Sequence, residues 1–220
     1  QKMLERYPCL YLKPESGKAG KGIMMLRYQR DKLLPYRLKV QHHRSSTTYK
    51  TRNLYRLWAR IKSETGSARY IIQQGIELAS VNNRHFDLRA LLQKNNKGLW
   101  GVTGVGARMA GSKSITTHVP RGGTIEDPSK LLSDVFGSEM SAVILNRVRT
   151  TAIIIARQIE KASGYEHGEM SMDLGIDELG NIWFFEANAK PMKFDEPHIR
   201  KRSLKRIFQY SEYLSNQPKM

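Results

Sequence analysis

Asp173, Glu186 and Asn188 put two carboxylates and one amide within sixteen positions of one another. Asp173 sits in an apolar run with Met172, Leu174 and Ile176, and Glu186 closes Ile182-Trp183-Phe184-Phe185. The runs are joined by Asp177-Glu178-Leu179-Gly180-Asn181, in which Asp177 and Glu178 read as turn residues. An antiparallel pair of strands can bring Asp173 and Glu186 to the same side within a few ångströms. Two carboxylates and an amide oxygen form a hard-oxygen set suited to Mg²⁺. Both placements are expected to bury charge, which is costly unless a cation offsets it. The alternative is a half-exposed hairpin with both acids on its solvent face.

A second group is Lys13 with the loop Gly17-Lys18-Ala19-Gly20-Lys21-Gly22. Glycines let backbone N–H groups approach phosphate oxygens, and lysines offset their charge. The loop is not a Walker A motif, because Gly22 is followed by Ile23 and not by Lys-Ser/Thr. A solvated hairpin loop is the other reading. The third group is Arg108 with Arg121-Gly122-Gly123. Arginine can clamp a phosphate and glycine N–H groups can face developing negative charge. An ordinary loop with a surface arginine is the competing account.

The elements that must hold these groups are mostly strands. Cys9–Lys13 and Gly22–Tyr28 read as a hairpin, and Tyr36–Val40 as a third strand. Leu54, Leu57, Trp58 and Ile61 fall at helical spacing, giving a helix over 51–64 closed by Gly66. Tyr70–Gln74 is a strand. Phe86–Gln93 and Leu99–Met109 are strands joined by Asn95-Asn96-Lys97-Gly98, a strong turn signal. Helices are expected over 127–136 and 138–163, the second with Val143, Leu145, Val148, Ile155 and Ile159 on its apolar face. Strands Glu169–Ile176 and Ile182–Glu186 follow, and Pro197–Leu214 is a basic helix. A small lobe over 1–75 and a larger lobe over 76–220 are expected.

The 220 residues carry 37 Lys and Arg against 20 Asp and Glu, a formal charge of +17. That excess points to an acidic partner. A 40% hydrophobic content supports a folded core. One cysteine excludes a disulfide scaffold and a thiolate cluster. Cys9 reads as core, and Trp58 and Trp183 as core packing. His42, His43 and the lone loop His167 read as non-ligands. No apolar run approaches the ~20 residues of a membrane-spanning helix, and no leader-like apolar segment follows Gln1-Lys2-Met3. A soluble protein of a reducing compartment is expected. The cluster Arg200, Lys201, Arg202, Lys205 and Arg206 is the strongest local charge excess.

The order of these pieces is more informative than any one of them. Lys-Pro, a Gly-rich loop, Gln-Gln-Gly-Ile, Asp-Leu-Arg, Arg-Gly-Gly and Asp…Glu-Ala-Asn together resemble the ATP-grasp superfamily. The segments YLKPESGKAGKGI, YIIQQGIELA, FDLRALLQ, VTGVGARM and MDLGIDELGNIWFFEAN are most similar to the endospore coat-associated YheC/YheD-type proteins. The resemblance implies an α+β ATP-grasp fold, with two lobes whose antiparallel sheets enclose the nucleotide. It implies an ATP- and Mg²⁺-dependent carboxylate–amine ligase acting through an acyl phosphate. Lys13 would touch the α/β-phosphates, with Gly17, Lys18, Gly20, Lys21 and Gly22 as a lid. Gln74 and Ile76 would present backbone groups to adenine and Asp87 would hold the ribose hydroxyls. Arg108 would face the γ-phosphate, and Asp173, Glu186 and Asn188 would bind metal. His118 would donate to a phosphate; it stands with Thr116 where related ligases have Arg-x-Asn.

The superfamily's usual preceding α/β domain has no counterpart in these residues, which leaves a fragment and a reduced protein as the two accounts. The resemblance also admits a non-catalytic nucleotide-binding structural protein of the spore coat, and a cytoplasmic, coat-associated location. Nucleic-acid binding rests on charge alone, with no RRM, KH, zinc-finger or helix-turn-helix signature. Four lysine and arginine side chains serving a triphosphate leave most of the excess over, so a polyanionic substrate or an acidic coat partner is the sharper expectation.

Overall fold

The computed structural model describes residues 2–16, 20–43, 45–112 and 114–217. Its elements run α1 (Lys2–Arg6), β1 (Cys9–Pro14), β2 (Met24–Tyr28), β3 (Tyr36–Gln41), β4 (Ser46–Thr51), α2 (Leu54–Thr65), β5 (Tyr70–Gln74), β6 (Ser80–Val81), β7 (Arg84–Lys94) and β8 (Trp100–Met109). A 3₁₀ turn (Val119–Arg121) follows, then β9 (Thr124–Glu126), α3 (Pro128–Phe136), α4 (Ser138–Ser163), β10 (Glu169–Ile176), β11 (Ile182–Asn188) and α5 (Pro197–Ser215). They form two compact units, one from Gln1–Glu77 with Met109–Thr124, the other from Leu78–Arg108 with Ile125–Met220. The return of Met109–Thr124 to the first unit has no signature in a linear reading of the sequence.

The first unit holds an antiparallel sheet in the order β4-β3-β2-β1-β5. Leu10, Leu12, Met24, Leu26, Leu38 and Val40 alternate inward and meet Leu57 and Ile61 of α2 in one core. Asn53 starts α2 by accepting from the N–H groups of Tyr55 and Arg56, and Gly66 ends it at φ 53°. Sequence periodicity places this start three residues early, because Thr51 still belongs to β4. Strand β4 itself escapes a hydrophobicity reading, since Ser46-Thr47-Thr48-Tyr49-Lys50-Thr51 is a polar edge strand. Trp58 is corrected from core to surface: it is 52% exposed, with Lys62 Nζ 5.5 Å from its ring centre. Leu57 and Ile61 already fill the inward stripe.

The second unit holds a sheet in the order β11-β10-β7-β8-β9, with β6 added to β7. One face of β7 and β10 carries Phe86, Leu88, Ala90, Leu92, Met170, Met172, Leu174 and Ile176, all buried. Helix α4 packs on these two strands. Its buried stripe is Ser141, Ile144, Leu145, Val148, Ala152 and Ala156. The alanines let its backbone come close, and the expected core residue Val143 is exposed instead. The opposite face is partly covered by the segment that opens α5, where Phe194 and Ile199 pack on Leu91. Among the described residues, no helix is long and apolar enough to cross a membrane.

Candidate functional site

In the first unit, Lys13 lies near the end of β1, paired with Ile71 of β5. Gly20 and Gly22 have φ of 69° and 76°, the left-handed region that glycine enters freely. Gly22 is also pinned, since the Tyr70 hydroxyl donates to its carbonyl at 3.1 Å. Gly17 and Lys18 lie outside the described residues. The Met109–Thr124 segment docks on the same unit. Gln41 Oε1 accepts from Ile115 N at 2.9 Å and from Ser114 Oγ at 3.2 Å. Arg121 Nη1 donates to the His42 carbonyl. This docking brings His118 to the glycine loop, so that a Cβ on Gly20 would stand 3.2 Å from His118 Nδ1. Lys21 is exposed beside them. Gln74 ends β5, an edge strand, with Leu10 as its partner. Gly75 follows against Cys9, its N–H bonded to the Cys9 carbonyl, and then Ile76. Cys9 is buried as expected, and burial pushes its thiol up, against a smaller opposing pull from Arg27.

In the second unit, one sheet face collects Asp87, Arg89, Asp173, Glu186 and Asn188. Register places Asp173 opposite Arg89 on β7 and Glu186 on β11, with Ser171 opposite Asn188 and Gly175 opposite Asp87. A β-bulge creates this row. From Ile176–Ile182 to Leu174–Phe184 the pairing is regular, and continued unchanged it would set Asp173 against Phe185 and turn Glu186 to the other face. The register shift after Leu174 inserts Phe185 as an extra residue and brings Glu186 opposite Asp173. Gly175 makes the room, because a Cβ there would lie 2.4 Å from Phe185 Cζ and 2.6 Å from Leu78 Cδ2. Gly175→Ala is expected to cost about 1–3 kcal/mol as an overpacked substitution. It should also displace Phe185 and loosen the bulge, seen as a lowered Tm in a thermal melt and shifted amide resonances over 184–188.

Asp173 is 9% exposed, whereas Glu186 and Asn188 are exposed. The expectation that both acids are buried is thus corrected: the interior strand β10 buries one, and the edge strand β11 leaves the other open. Trp183 is likewise not core; its indole N–H donates to Asp177 Oδ2 at 2.9 Å. Asp177 also accepts from the N–H groups of Leu179 and Asn181, as a turn residue does.

Burial pushes the Asp173 carboxyl above its ordinary range; Arg89 and Arg108 pull it down, and Glu186 pushes it up again. Arg89 Nε stands 3.8 Å from Asp173 Oδ1, too far for a hydrogen bond, and both atoms are buried without a hydrogen-bond partner. A buried carboxylate oxygen in this state is suited to a cation. Among the described residues no group of three or more His, Cys, Asp or Glu is placed to hold a metal ion. Two carboxylates and one amide instead match an ion that takes further ligands from phosphate and water, as Mg²⁺ does. Residues that sequence reasoning passed over complete the face. Arg89, two positions after Asp87 and so on its side of the strand, donates to Ser171 Oγ at 3.3 Å and lies 5.3 Å from the Phe194 ring centre. Glu196 lies over Gly106, two positions before Arg108 on β8.

The model of the family described as YheC/D like ATP-grasp matches residues 1–214. This chain belongs to that family. It is 30% identical over 219 residues to the endospore coat-associated protein YheD of Bacillus subtilis (strain 168), covering 95% of the chain and 46% of YheD. It is 19% identical over 188 residues to YheC of the same organism, covering 86% of the chain and 50% of YheC. This YheC/D-like chain therefore spans about half the length of the curated relatives it matches. Two solved structures share its fold. Biotin carboxylase from Campylobacter jejuni, in a complex with a β,γ-ATP compound, has a TM-score of 0.53 at 16% identity, over 99% of this chain and 40% of that one. The C-terminal domain of K. lactis Pby1, an ATP-grasp enzyme, has a TM-score of 0.51 at 13% identity, over 100% of this chain and 61% of that one. The α+β architecture is the ATP-grasp fold.

Proposed function

We propose that this chain is an ATP- and Mg²⁺-dependent ligase that joins a carboxylate to an amine through an acyl phosphate. Family membership supports nucleotide use. The observation that carries the metal part is the bulged register that sets Glu186 opposite Asp173, whose buried oxygen lacks a hydrogen bond. Asp173, Glu186 and Asn188 would hold the ion. When bound, Mg²⁺ offsets phosphate charge and polarises the phosphoryl group under attack. Arg108 would stabilise charge developing on the transferred phosphoryl oxygens. Arg89 faces Asp173 across the strand pair and pulls its carboxyl down against the upward push of burial. Lys13 would touch the α/β-phosphates, the glycine loop with Lys21 would act as a cover, and His118 would donate to a phosphate. Backbone groups of Gln74 and Ile76 would meet adenine, which an edge strand is free to do, and Asp87 would hold the ribose. Positioning and charge neutralisation suffice for phosphoryl transfer, so no side-chain nucleophile is required. The charge of +17 favours a polyanionic carboxylate substrate.

A second reading is a nucleotide-binding structural protein of the spore coat without turnover; the similarity to a coat-associated relative favours it. Calorimetry with Mg·ATP, followed by ADP release with a panel of carboxylates and amines, separates the two. The ligase reading expects binding, and ADP release that requires one carboxylate. Binding with no turnover across the panel selects the second reading. No binding of Mg·ATP overturns both.

A further inference from the structure

Helix α5 is amphipathic in the wrong sense for a helix that only completes a fold. Surface helices normally turn their apolar stripe to the core. Here the inward positions after Ile199 are largely polar. Ser203 Oγ accepts from Gln93 Nε2 at 3.0 Å, Arg202 Nη1 donates to the Thr103 carbonyl at 2.9 Å, and Tyr210 and Tyr213 lie against Gly168 and Gly98. The large apolar side chains point outward: Leu204 is 65% exposed, Phe208 63% and Ile207 50%. At 100° per residue these three lie within an arc of about 100°. Lys201 and Lys205 border that arc on the Phe208 side, both exposed and in no ion pair among the described residues. Glu212 is the helix's single acid.

We propose that this outward face of α5 docks on an anionic lipid surface. An apolar ridge bordered by lysines is the pattern of an interfacial helix, which sinks Leu and Phe below the headgroups while cations pair with the lipid phosphates. Three observations select this occupant. The inward face is already held by its own polar contacts, and the outward apolar groups stay half or more exposed. A second copy of the chain would bring five Lys and Arg of α5 against five more, on two molecules each carrying +17. A ridge formed by one helix needs a yielding surface, and fluid lipid accommodates it without a shaped groove. Docking of this kind is peripheral and reversible.

The test is co-sedimentation of the full 220-residue chain with vesicles of pure phosphatidylcholine, or of phosphatidylcholine with phosphatidylglycerol, at about 0.15 M salt. Binding to the anionic vesicles is expected to be about tenfold tighter or more than to the neutral ones. Leu204→Ser, Ile207→Ser and Phe208→Ser together should weaken it about tenfold with an unchanged far-UV spectrum and Tm. Lys201→Glu with Lys205→Glu should weaken it by a similar factor and flatten its salt dependence. Equal binding by the triple serine variant would mean that bulk charge alone is responsible, and overturns the proposal. So does absence of binding to anionic vesicles. A dimer in sedimentation equilibrium that the triple variant dissolves would assign the face to a second copy, and likewise overturns it.

Discussion

Asp173→Asn is expected to abolish the Mg²⁺ dependence of ADP binding while leaving the fold nearly as stable as before. In the unaltered chain, Mg²⁺ should raise ADP affinity about tenfold or more over the same titration in EDTA, since two carboxylates would serve the ion in the proposed site. In the variant that ratio should fall to about one. Carboxylate-dependent ADP release, once a substrate pair is in hand, should drop by roughly three orders of magnitude, the equivalent of about 4 kcal/mol of lost charge stabilisation. The small stability effect follows from the row Glu186–Asp173–Arg89. With both acids ionised it holds two negative charges and one positive, and the amide substitution leaves one of each. Asn has nearly the shape of Asp and still presents an oxygen towards Arg89. Arg89→Met is the contrasting variant. It leaves Asp173 buried beside Glu186 with its close cation gone, and breaking a buried pair in this way costs about 3–5 kcal/mol. Added Mg²⁺ should restore part of the Tm of Arg89→Met and none of that of Asp173→Asn. Retention of the Mg²⁺ ratio in Asp173→Asn would remove Asp173 from the metal set.

Asp173 and Glu186 are plain in the sequence, whereas Arg89 and the reason the three meet are not. The turn Asp177–Asn181 and the apolar runs on either side suffice to predict β10 and β11. Facing sides, however, follow from register, and regular pairing would have separated Asp173 from Glu186. The bulge depends on Phe185 fitting over Gly175, a three-dimensional match between residues ten positions apart. Burial is hidden for the same reason. Glu186 and Trp183 belong to an apolar-looking strand, but that strand is the sheet's edge. Strand position is set by long-range pairing, which local periodicity does not encode. Helix ends are legible where a glycine fixes them, as at Gly66 and Gly164. The polar strand β4 is not, because an edge strand carries no apolar stripe, and neither is the return of Met109–Thr124, which is held by partners remote in sequence, Gln41 foremost.

Glu160→Ala should be the most destabilising change among the surface-helix residues, through a network no motif announces. Glu160 of α4 accepts from Lys94 Nζ at 2.7 Å, from His167 N at 3.0 Å and from Trp100 Nε1 at 3.0 Å. The Lys94 side chain is 7% exposed and that of Glu160 23%. The Lys94 ammonium also stands 5.6 Å from the Trp100 ring centre and 5.9 Å from that of Tyr210. Removing the carboxylate leaves a buried ammonium and an indole N–H without their acceptor, a loss of about 3 kcal/mol. For a chain of this size that is roughly 6–12 °C in Tm. The pH dependence has a definite sign. Burial pushes the Glu160 carboxyl up, but the bonds from Lys94, His167 and Trp100 outweigh it and hold it below its usual range. A depressed carboxyl contributes stability that is fully present above its unfolded value, about 4.3, and is lost as pH falls through the folded value. Burial pulls the Lys94 ammonium down, but Glu160 outweighs it and raises it. Its contribution is fully present below about 10.4, the unfolded value, and fades as pH rises through the folded one. The stability difference between the unaltered chain and Glu160→Ala, from urea melts, should therefore form a plateau from about pH 5 to 10 and shrink on both sides. A difference that grows as pH falls below about 4 would contradict the assignment. Glu160→Gln separates the two parts: its amide oxygen can still accept from Trp100 or His167, so it should recover some stability near neutrality but lose the acid-side pH dependence.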